Sequence, residues 1–384
     1  MSGSRRRWYE FFAGGGMARL GLGSTWECTF ANDISEKKAD AYRAFWGPSP
    51  ELKVGDVGQL TTEDLPGIPD LVWASFPCQD LSLAGNGAGL DGKRSGTFRP
   101  FWRLVEGFVG EGRAPKLVVL ENVTGALTSH SGNDFTSIVR ALVGSGYRVG
   151  GLVINAAHFL PQSRPRLFIV GLHGQTPIPS KLISAAPSEP WHTKSLIKAH
   201  DNLPNQLARN WVWWTLPVPT KTVPALATLI EDCPTGTAWH SESETQKLLN
   251  LMTSTHRRKV ADALRAGNRH VGTIYKRTRP NRSKVMVQRA EVRFDGISGC
   301  LRTPVGGSSR QTVIVVEKGR VRTRLLSPRE AARLMGVPDS YPLPSAYNDA
   351  YHVFGDGVAV PAVSWLESHL LCPLTVGRSF ERVA

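Results

Sequence analysis

Short apolar runs alternate with segments of helical spacing from about residue 8 to 172. The stretch "RRWYEFFAGGG" predicts a strand feeding a Gly-rich loop. In "SEKKADAYRAFW", Ala39, Tyr42, Ala44 and Phe45 fall near one face, which predicts a helix. "PDLVWASF" and "PKLVVLENV" predict buried strands that end in polar residues. "FRPFWRLVEGFVGEG" and "NDFTSIVRALVGSG" predict helices, the second started by Asn133 or Asp134 and stopped by Gly144 or Gly146. "YRVGGLVINAAHF" and "RPRLFIVGLH" predict two late strands. Strands that alternate with helices predict an α/β fold with a doubly wound, mostly parallel sheet.

The alternation breaks near residue 175. "QTPIPSKLISAAPSEPWH" is rich in Pro and Ser and reads as a linker. Residues 185–320 hold no clean β-α alternation, but they contain the Trp-rich "NWVWWTLP". Order returns with "SPREAARLMGVP", where Ser327 predicts an N-cap, Pro328 the first helical position and Glu330 the reciprocal half of a capping box. Gly336 and Pro338 stop that helix. "FGDGVAVPAVSWLESHLL" then predicts a Gly turn and a helix from near Val358. Its apolar face, Val360, Val363, Leu366 and Leu370, needs a partner, and the parent sheet is the expected one. Three segments follow: 1–175 as a first domain, 176–320 as a smaller irregular one, and 321–384 as a return that completes the first.

Charge sharpens the picture. The formal net charge is +14, and between Arg257 and Arg293 twelve Lys or Arg stand against two acids, Asp262 and Glu291. A stripe of that kind attracts polyanions and points to nucleic acid. No run of eighteen apolar residues predicts a membrane span. The first residues carry basic side chains but no apolar run of signal-peptide length, so a cytoplasmic protein is expected. The five cysteines, Cys28, Cys78, Cys233, Cys300 and Cys372, are scattered, and no pair has zinc-ligand spacing. Neither a metal nor a disulfide framework is expected.

Candidate chemistry sits where apolar runs stop. "FFAGGGMARLGLG" lets a backbone approach a ligand closely at a helix N-terminus. Asp33, seventeen residues after Gly16, ends the next strand, where a carboxylate grips ribose hydroxyls. Asp56 ends a third run. Cys78 in "WASFPCQDLS" follows a buried strand. A free thiol with a pKa of about 8.5 is mostly protonated at neutral pH, so a working cysteine needs help. Glu121 ends the next apolar strand and, in a doubly wound sheet, shares the rim. Arg164 and Arg166 alternate at the start of a later strand, so both are expected on one side. Taken singly, Cys78 reads as core filler, Glu121 as a turn acid and the arginines as a surface patch. Their joint occurrence in this order makes a cysteine nucleophile the sharper reading.

"FAGGG", "FPCQDLSLAGNGAGL", "ENV", "QSRPRLFIVG", "RLLSPREAARLMGVP" and "GDGVAVP" resemble the ordered motifs of the DNA (cytosine-5) methyltransferases. The resemblance covers roughly residues 8–172 and 321–372 and implies a Rossmann-like, S-adenosylmethionine-dependent fold, with 1–175 as the catalytic and cofactor-binding domain, 176–320 as the target-recognition domain and 321–384 completing the first. It implies that Cys78 attacks C6 of a cytosine flipped out of duplex DNA, with Glu121 at N3 and the exocyclic amine. It places Arg166, with Arg164 nearby, at O2 or against Cys78 and Glu121. For the cofactor it implies Phe12 on the adenine face, Gly14 and Gly16 against the methionine arm and Asp33 on the ribose. Ile34 falls beside the adenine, Asp56 at its amine and Pro77 at the pocket wall. Asp356 stands where most relatives have Asn. Gln79, Ser82 and Arg94 become phosphate contacts of a polar loop. Thr303, Gly306 and Gly307 resemble the segment that meets the DNA backbone. The implied partners are double-stranded DNA and, in a prokaryotic modification system, a companion restriction endonuclease. The chain is expected to act as a monomer. The other readings are a tRNA cytosine methyltransferase of the same architecture and a catalytically silent DNA-binding protein. Trp211, Trp213 and Trp214 read either as a small core or as a stacking platform for bases.

Overall fold

A computed structural model of the chain describes residues 5–77, 97–174, 176–281, 283–303 and 310–376. Seven strands make the first sheet. In chain order, the elements begin β1 (Arg6–Phe11), α1 (Met17–Leu22), β2 (Trp26–Asp33), α2 (Glu36–Trp46), β3 (Leu52–Val54), β4 (Leu71–Ala74) and α3 (Phe98–Gly110). They continue with β5 (Leu117–Val123), α4 (Asn133–Gly144), β6 (Tyr147–Asn155) and β7 (Pro165–His173). The strand order is β3-β2-β1-β4-β5-β7-β6. All pairs from β3 to β5 are parallel, whereas β7 runs antiparallel to both β5 and β6. The sheet is therefore mostly parallel, as expected, with one reversed strand. That reversal was not in the sequence reading: a strand buried on both faces looks alike in either direction.

Burial explains the elements. The residues of β4 and the first six of β5 are all buried. On α3, Phe98, Phe101, Trp102, Val105 and Phe108 are buried at helical spacing. They pack with Tyr9, Phe11 and Phe30 of the sheet, and each such side chain contributes roughly 1.5–3 kcal/mol by leaving water. On α2 the buried residues are Ala39, Ala41 and Tyr42, while Ala44 is exposed. The expected face is thus rotated toward Ala41. Ser35 caps this helix, its side chain accepting from Lys38 N.

Contacts divide the chain into two units, Met1–Asn155 with Pro165–Pro219 and Ala362–Ala384, and Ala156–Arg164 with Thr220–Pro361. The first unit also holds β8 (Ile183–Ser184), α5 (Lys194–Asp201), α6 (Asn205–Ala208) and β9 (Trp213–Trp214). Here the Trp-rich segment resolves into core. Trp214 is fully buried and donates through Nε1 to Val170 O, and Trp211 and Trp213 pack with His200. Trp211 and Trp213 are half-buried against the core.

The second unit contains α7 (Leu226–Leu229), α8 (Glu242–Asn250), α9 (Ser254–Ala266), β10 (His270–Pro280), β11 (Met286–Arg293), β12 (Thr312–Glu317), β13 (Arg320–Leu325), α10 (Pro328–Leu334) and α11 (Tyr347–Asp356). Its antiparallel sheet has the order β11-β10-β12-β13. Leu248, Met252, Val260 and Ala263 cover one face through Ile274, Ala290, Val292, Ile314 and Val316. The segment 185–320, which showed no clean β-α alternation, thus holds most of a regular small sheet. The capping box of α10 forms as expected: Ser327 Oγ accepts from Glu330 N, and Glu330 Oε2 accepts from Ser327 N.

The chain ends with α12 (Val360–Leu366), a π-turn at Glu367–Leu371 and α13 (Cys372–Val376). Val363, Leu366 and Leu370 are buried. Ser364 Oγ donates to Gly21 O, and Trp26 Nε1 donates to Glu367 Oε1. Among the described residues no helix is long and apolar enough to cross a membrane.

Candidate active site

Two features of the first sheet place chemistry on one rim. The chain order reverses between β1 and β4, the switch point at which open α/β sheets hold ligands beyond their strand C-termini. The reversed β7 also brings its first residues to the C-terminal end of β5, with Arg166 directly opposite Val123.

The loop after β1 turns sharply. Phe12, Gly14 and Gly16 all have left-handed backbone, with φ of 58°, 57° and 76°. A Cβ at Gly14 would meet nothing within 4 Å, whereas one at Gly16 would strike the Trp46 and Tyr42 rings. Gly16 is therefore bound to α2 by close packing, and Gly14 presents an open backbone. Asp33, at the end of β2, holds this loop: its Oδ2 accepts from Gly14 N and its Oδ1 from Ser35 N, each at 2.8 Å. Next to it Ile34 is 72% exposed, an apolar side chain left in water. The Phe12 ring is half-buried against Phe101. Asp56 is exposed beyond β3 and caps the turn that follows, its Oδ1 accepting from Gly58 N.

Beneath the loop lies Glu10, 2% exposed in the body of β1. Burial pushes its carboxyl up to about 8, against the opposing pull of Arg19. Its Oε2 finds no hydrogen-bond partner among the described residues. The Arg19 guanidinium is engaged with Glu51 at 2.6 Å and Tyr42 at 2.7 Å and lies over the Trp46 ring. An acid set inside an apolar strand was the available sequence signal for Glu10, and the motif reading passed over it.

At the second rim position, Phe76 is buried and Pro77 is exposed. Asn122 Nδ2 donates to Phe76 O at 3.0 Å, so β5 fixes the backbone two residues before Cys78. In the sequence Asn122 stands next to Glu121, and nothing local signals this bond. Glu121 is 5% exposed, and its Oε1 lies 3.2 Å from Arg166 Nε. Strand register explains the pair: Glu121 and Val123 point to one face, and Arg166 stands opposite Val123 on that face. Arg166 also donates to Pro165 O.

Arg164 behaves differently. Alternation placed it beside Arg166, but it precedes β7 and belongs to the second unit. It is 1% exposed there and donates to Leu301 O at 3.1 Å, Gly355 O at 2.8 Å and Gly357 O at 2.6 Å. Arg164 is a clamp on two backbone segments of the second unit. Gln162, also fully buried, reinforces the clamp by donating to Leu334 O and accepting from Leu301 N. Asp356 lies exposed at the C-terminal end of α11, between the two glycine carbonyls that Arg164 holds. Thr303 follows the clamped Leu301. Cys78, Gln79, Ser82, Arg94, Gly306 and Gly307 lie outside the described residues.

The family model for C-5 cytosine-specific DNA methylases matches residues 7–371. The chain belongs to that family. It is a cytosine-5 DNA methyltransferase in class and fold. Type II methyltransferase M.HhaI from Haemophilus parahaemolyticus is 25% identical over 362 residues, covering 94% of this chain and 92% of the relative. M.HpaII from Haemophilus parainfluenzae is 26% identical over 375 residues, covering 92% and 86%. M1.ScrFI from Lactococcus lactis subsp. cremoris is 24% identical over 367 residues, covering 94% and 77%. Among solved structures, S. pombe Dnmt2 methyltransferase superposes with a TM-score of 0.58 at 17% identity, covering 96% of this chain and 99% of that one. At that identity the likeness is one of fold.

Proposed function

We propose that the enzyme transfers a methyl group from S-adenosylmethionine to C5 of a cytosine extruded from a specific duplex DNA sequence, with Cys78 as nucleophile. The observation that carries this reading is the buried Glu121–Arg166 pair on the β5–β7 rim, with Asn122 holding the strand that leads to Cys78.

The residues around the first loop fit the cofactor. Gly14 offers open backbone, and Asp33 offers carboxylate oxygens beside it for ribose hydroxyls. The exposed Ile34 supplies an apolar surface for adenine, with Phe12 on the other side and Asp56 toward the exocyclic amine. Gly16 shapes the turn for the methionine arm and Pro77 walls the pocket; Asp356 is a further candidate for a cofactor contact. When bound, the cofactor supplies an electrophilic methyl carbon.

The chain supplies the rest. Inside a duplex, stacking covers the faces of C5 and C6, so the base must leave the stack. Cys78 adds to C6 as a thiolate, and the electron pair of the 5,6 double bond becomes available at C5. Glu121 holds N3 and the exocyclic amine and favours a proton at N3, so that the ring accepts the charge. Arg166 keeps the Glu121 carboxylate oriented and stabilises the charge that builds on O2. After C5 gains its methyl group, its proton leaves to a base and the C6–sulfur bond breaks, which regenerates the thiolate and the aromatic ring. Gln79, Ser82, Arg94, Thr303, Gly306 and Gly307 engage the DNA backbone. The relatives named Type II methyltransferases support a modification role alongside a companion endonuclease.

Incubation with a labelled methyl donor and duplex DNA, tRNA or neither tests this reading. Label on cytosine C5 of DNA is expected in the parent and is lost in Cys78→Ser, which still binds DNA. Label on tRNA but not DNA would replace the proposed substrate. Equal turnover in Cys78→Ser would overturn the nucleophile.

A further inference from the structure

The second unit carries a feature that the chemistry above does not use. Strand β12 pairs with β10 over His270–Ile274, whereas β11 pairs with β10 from Thr273 out to Pro280. Beyond Ile274 the two strands therefore continue as a ribbon paired with each other. Lys276 through Pro280 are exposed, as are Met286 and Gln288. The five pairs from Lys276–Ala290 to Pro280–Met286 span about 17 Å at strand rise, and a two-stranded ribbon fits the major groove of duplex DNA.

The two faces of the ribbon differ in chemistry. Ile274, Ala290 and Val292 point into the core with α8 and α9. By alternation Lys276, Thr278 and Gln288 share that side. Tyr275, Arg277 and Arg279 point the other way, with Arg289 and Glu291 across from them. On this second side the Tyr275 ring lies over Gly299, where any Cβ would collide with the phenol. The arginine face therefore lies on the side of the segment 298–303, which ends at Thr303.

Its charge pattern costs stability. Arg277 directly opposes Arg289, and like charges across a pair repel. A single carboxylate, Glu291, is shared between Arg279 at 2.9 Å and Arg277 at 3.4 Å. Their side chains remain 49% and 44% exposed. Glu291 grips Arg279 through both Nε and Nη2. A guanidinium oriented in this way loses little freedom when it docks its fork on a flat acceptor pair. Guanine O6 and N7 form such a pair in the major groove, and arginine is their commonest partner. Every duplex site for a cytosine methylase contains guanine.

We propose that Arg277, Arg279 and Arg289 on the outer β10–β11 ribbon read guanine bases in the major groove of the target site. The inference rests on the protein acting on duplex DNA. The residues determine specificity, and Glu291 positions two of them.

The test uses the full chain with a pool of random-sequence duplexes and bisulfite sequencing of the methylated products. Parent, Arg279→Ala and Arg289→Ala are compared, with thermal melts to check folding and anisotropy titrations across salt. In each variant one guanine position of the methylated motif is expected to relax, with discrimination there falling roughly 10- to 100-fold and the salt slope unchanged. An unchanged motif, uniformly weaker binding and a slope reduced by about one would mean phosphate contacts and overturn base reading. An unchanged motif and rate would remove the ribbon from the interface. A parent that methylates no duplex would remove the underlying function together with the inference, and that result is read before any variant is made.

Discussion

Glu10 holds a carboxyl group in the interior of β1, and its proton is tied to folding. The folded group titrates near 8, against an ordinary value of 4.5. The folded state therefore binds an extra proton between those values. Its stabilising contribution is complete below pH 4.5 and is lost as pH rises toward 8. Glu10→Gln, which keeps the shape without the acid, is expected to flatten the stability curve over that window. It should raise stability by a few kcal/mol at pH 8, as read by urea denaturation. A curve parallel to the parent's would show that Glu10 ionises freely in the fold. Arg166 makes a second prediction at this scale. Its loss leaves Glu121 buried and disoriented, so Arg166→Ala should lower kcat roughly 10²- to 10³-fold while KM for S-adenosylmethionine changes little. A defect confined to KM would place Arg166 at the cofactor instead. Glu121 and Arg166 stood out as candidates because polar groups at the ends of apolar strands are conspicuous, and the structure pairs them at 3.2 Å. The clamp that Arg164 makes was not legible, because its backbone partners Leu301, Gly355 and Gly357 are remote in sequence.

Among the elements, α10 shows how a local signal acquires long-range weight. Its capping box was readable from Ser327, Pro328 and Glu330 alone. The sequence did not reveal that Glu330 also receives Arg324, at 2.6 and 2.7 Å, with both side chains fully buried. Arg324 comes from β13, and no spacing rule connects a strand cation to a helix cap. Glu330→Ala would strand a buried guanidinium and should cost about 3–5 kcal/mol in urea denaturation. Replacing Arg324 and Glu330 together by apolar residues should cost less than that single change. A single change worth under 1 kcal/mol would mean that Arg324 reaches water. The same limit of local signals explains the small sheet of the second unit. Of its strands only β12 is an apolar run, Val313–Val316; β10, β11 and β13 are part-exposed and basic, so they lack the pattern that revealed β4 and β5.

At the scale of the whole molecule, the fold class was legible because β-α alternation is a strong and repeated signal over the first unit. Chain path was less so: Ala156–Arg164, the connection between β6 and β7, belongs to the second unit, and no compositional shift marks it. The charge excess is likewise a whole-molecule property. At +14 the protein should bind duplex DNA with a steep salt dependence. Affinity is expected to fall on the order of 10³-fold between 50 and 200 mM salt. A decline of less than about tenfold would show that the basic stripe does not meet phosphates. The central claim, a covalent bond between Cys78 and cytosine C6, is tested most directly with duplex DNA carrying 5-fluorocytosine at the target position. Fluorine cannot depart as the C5 proton does, so the adduct should persist. In the presence of S-adenosylmethionine, a denaturing gel should show a protein–DNA complex for the parent and none for Cys78→Ala. A parent that methylates ordinary DNA yet leaves no such complex would contradict the account.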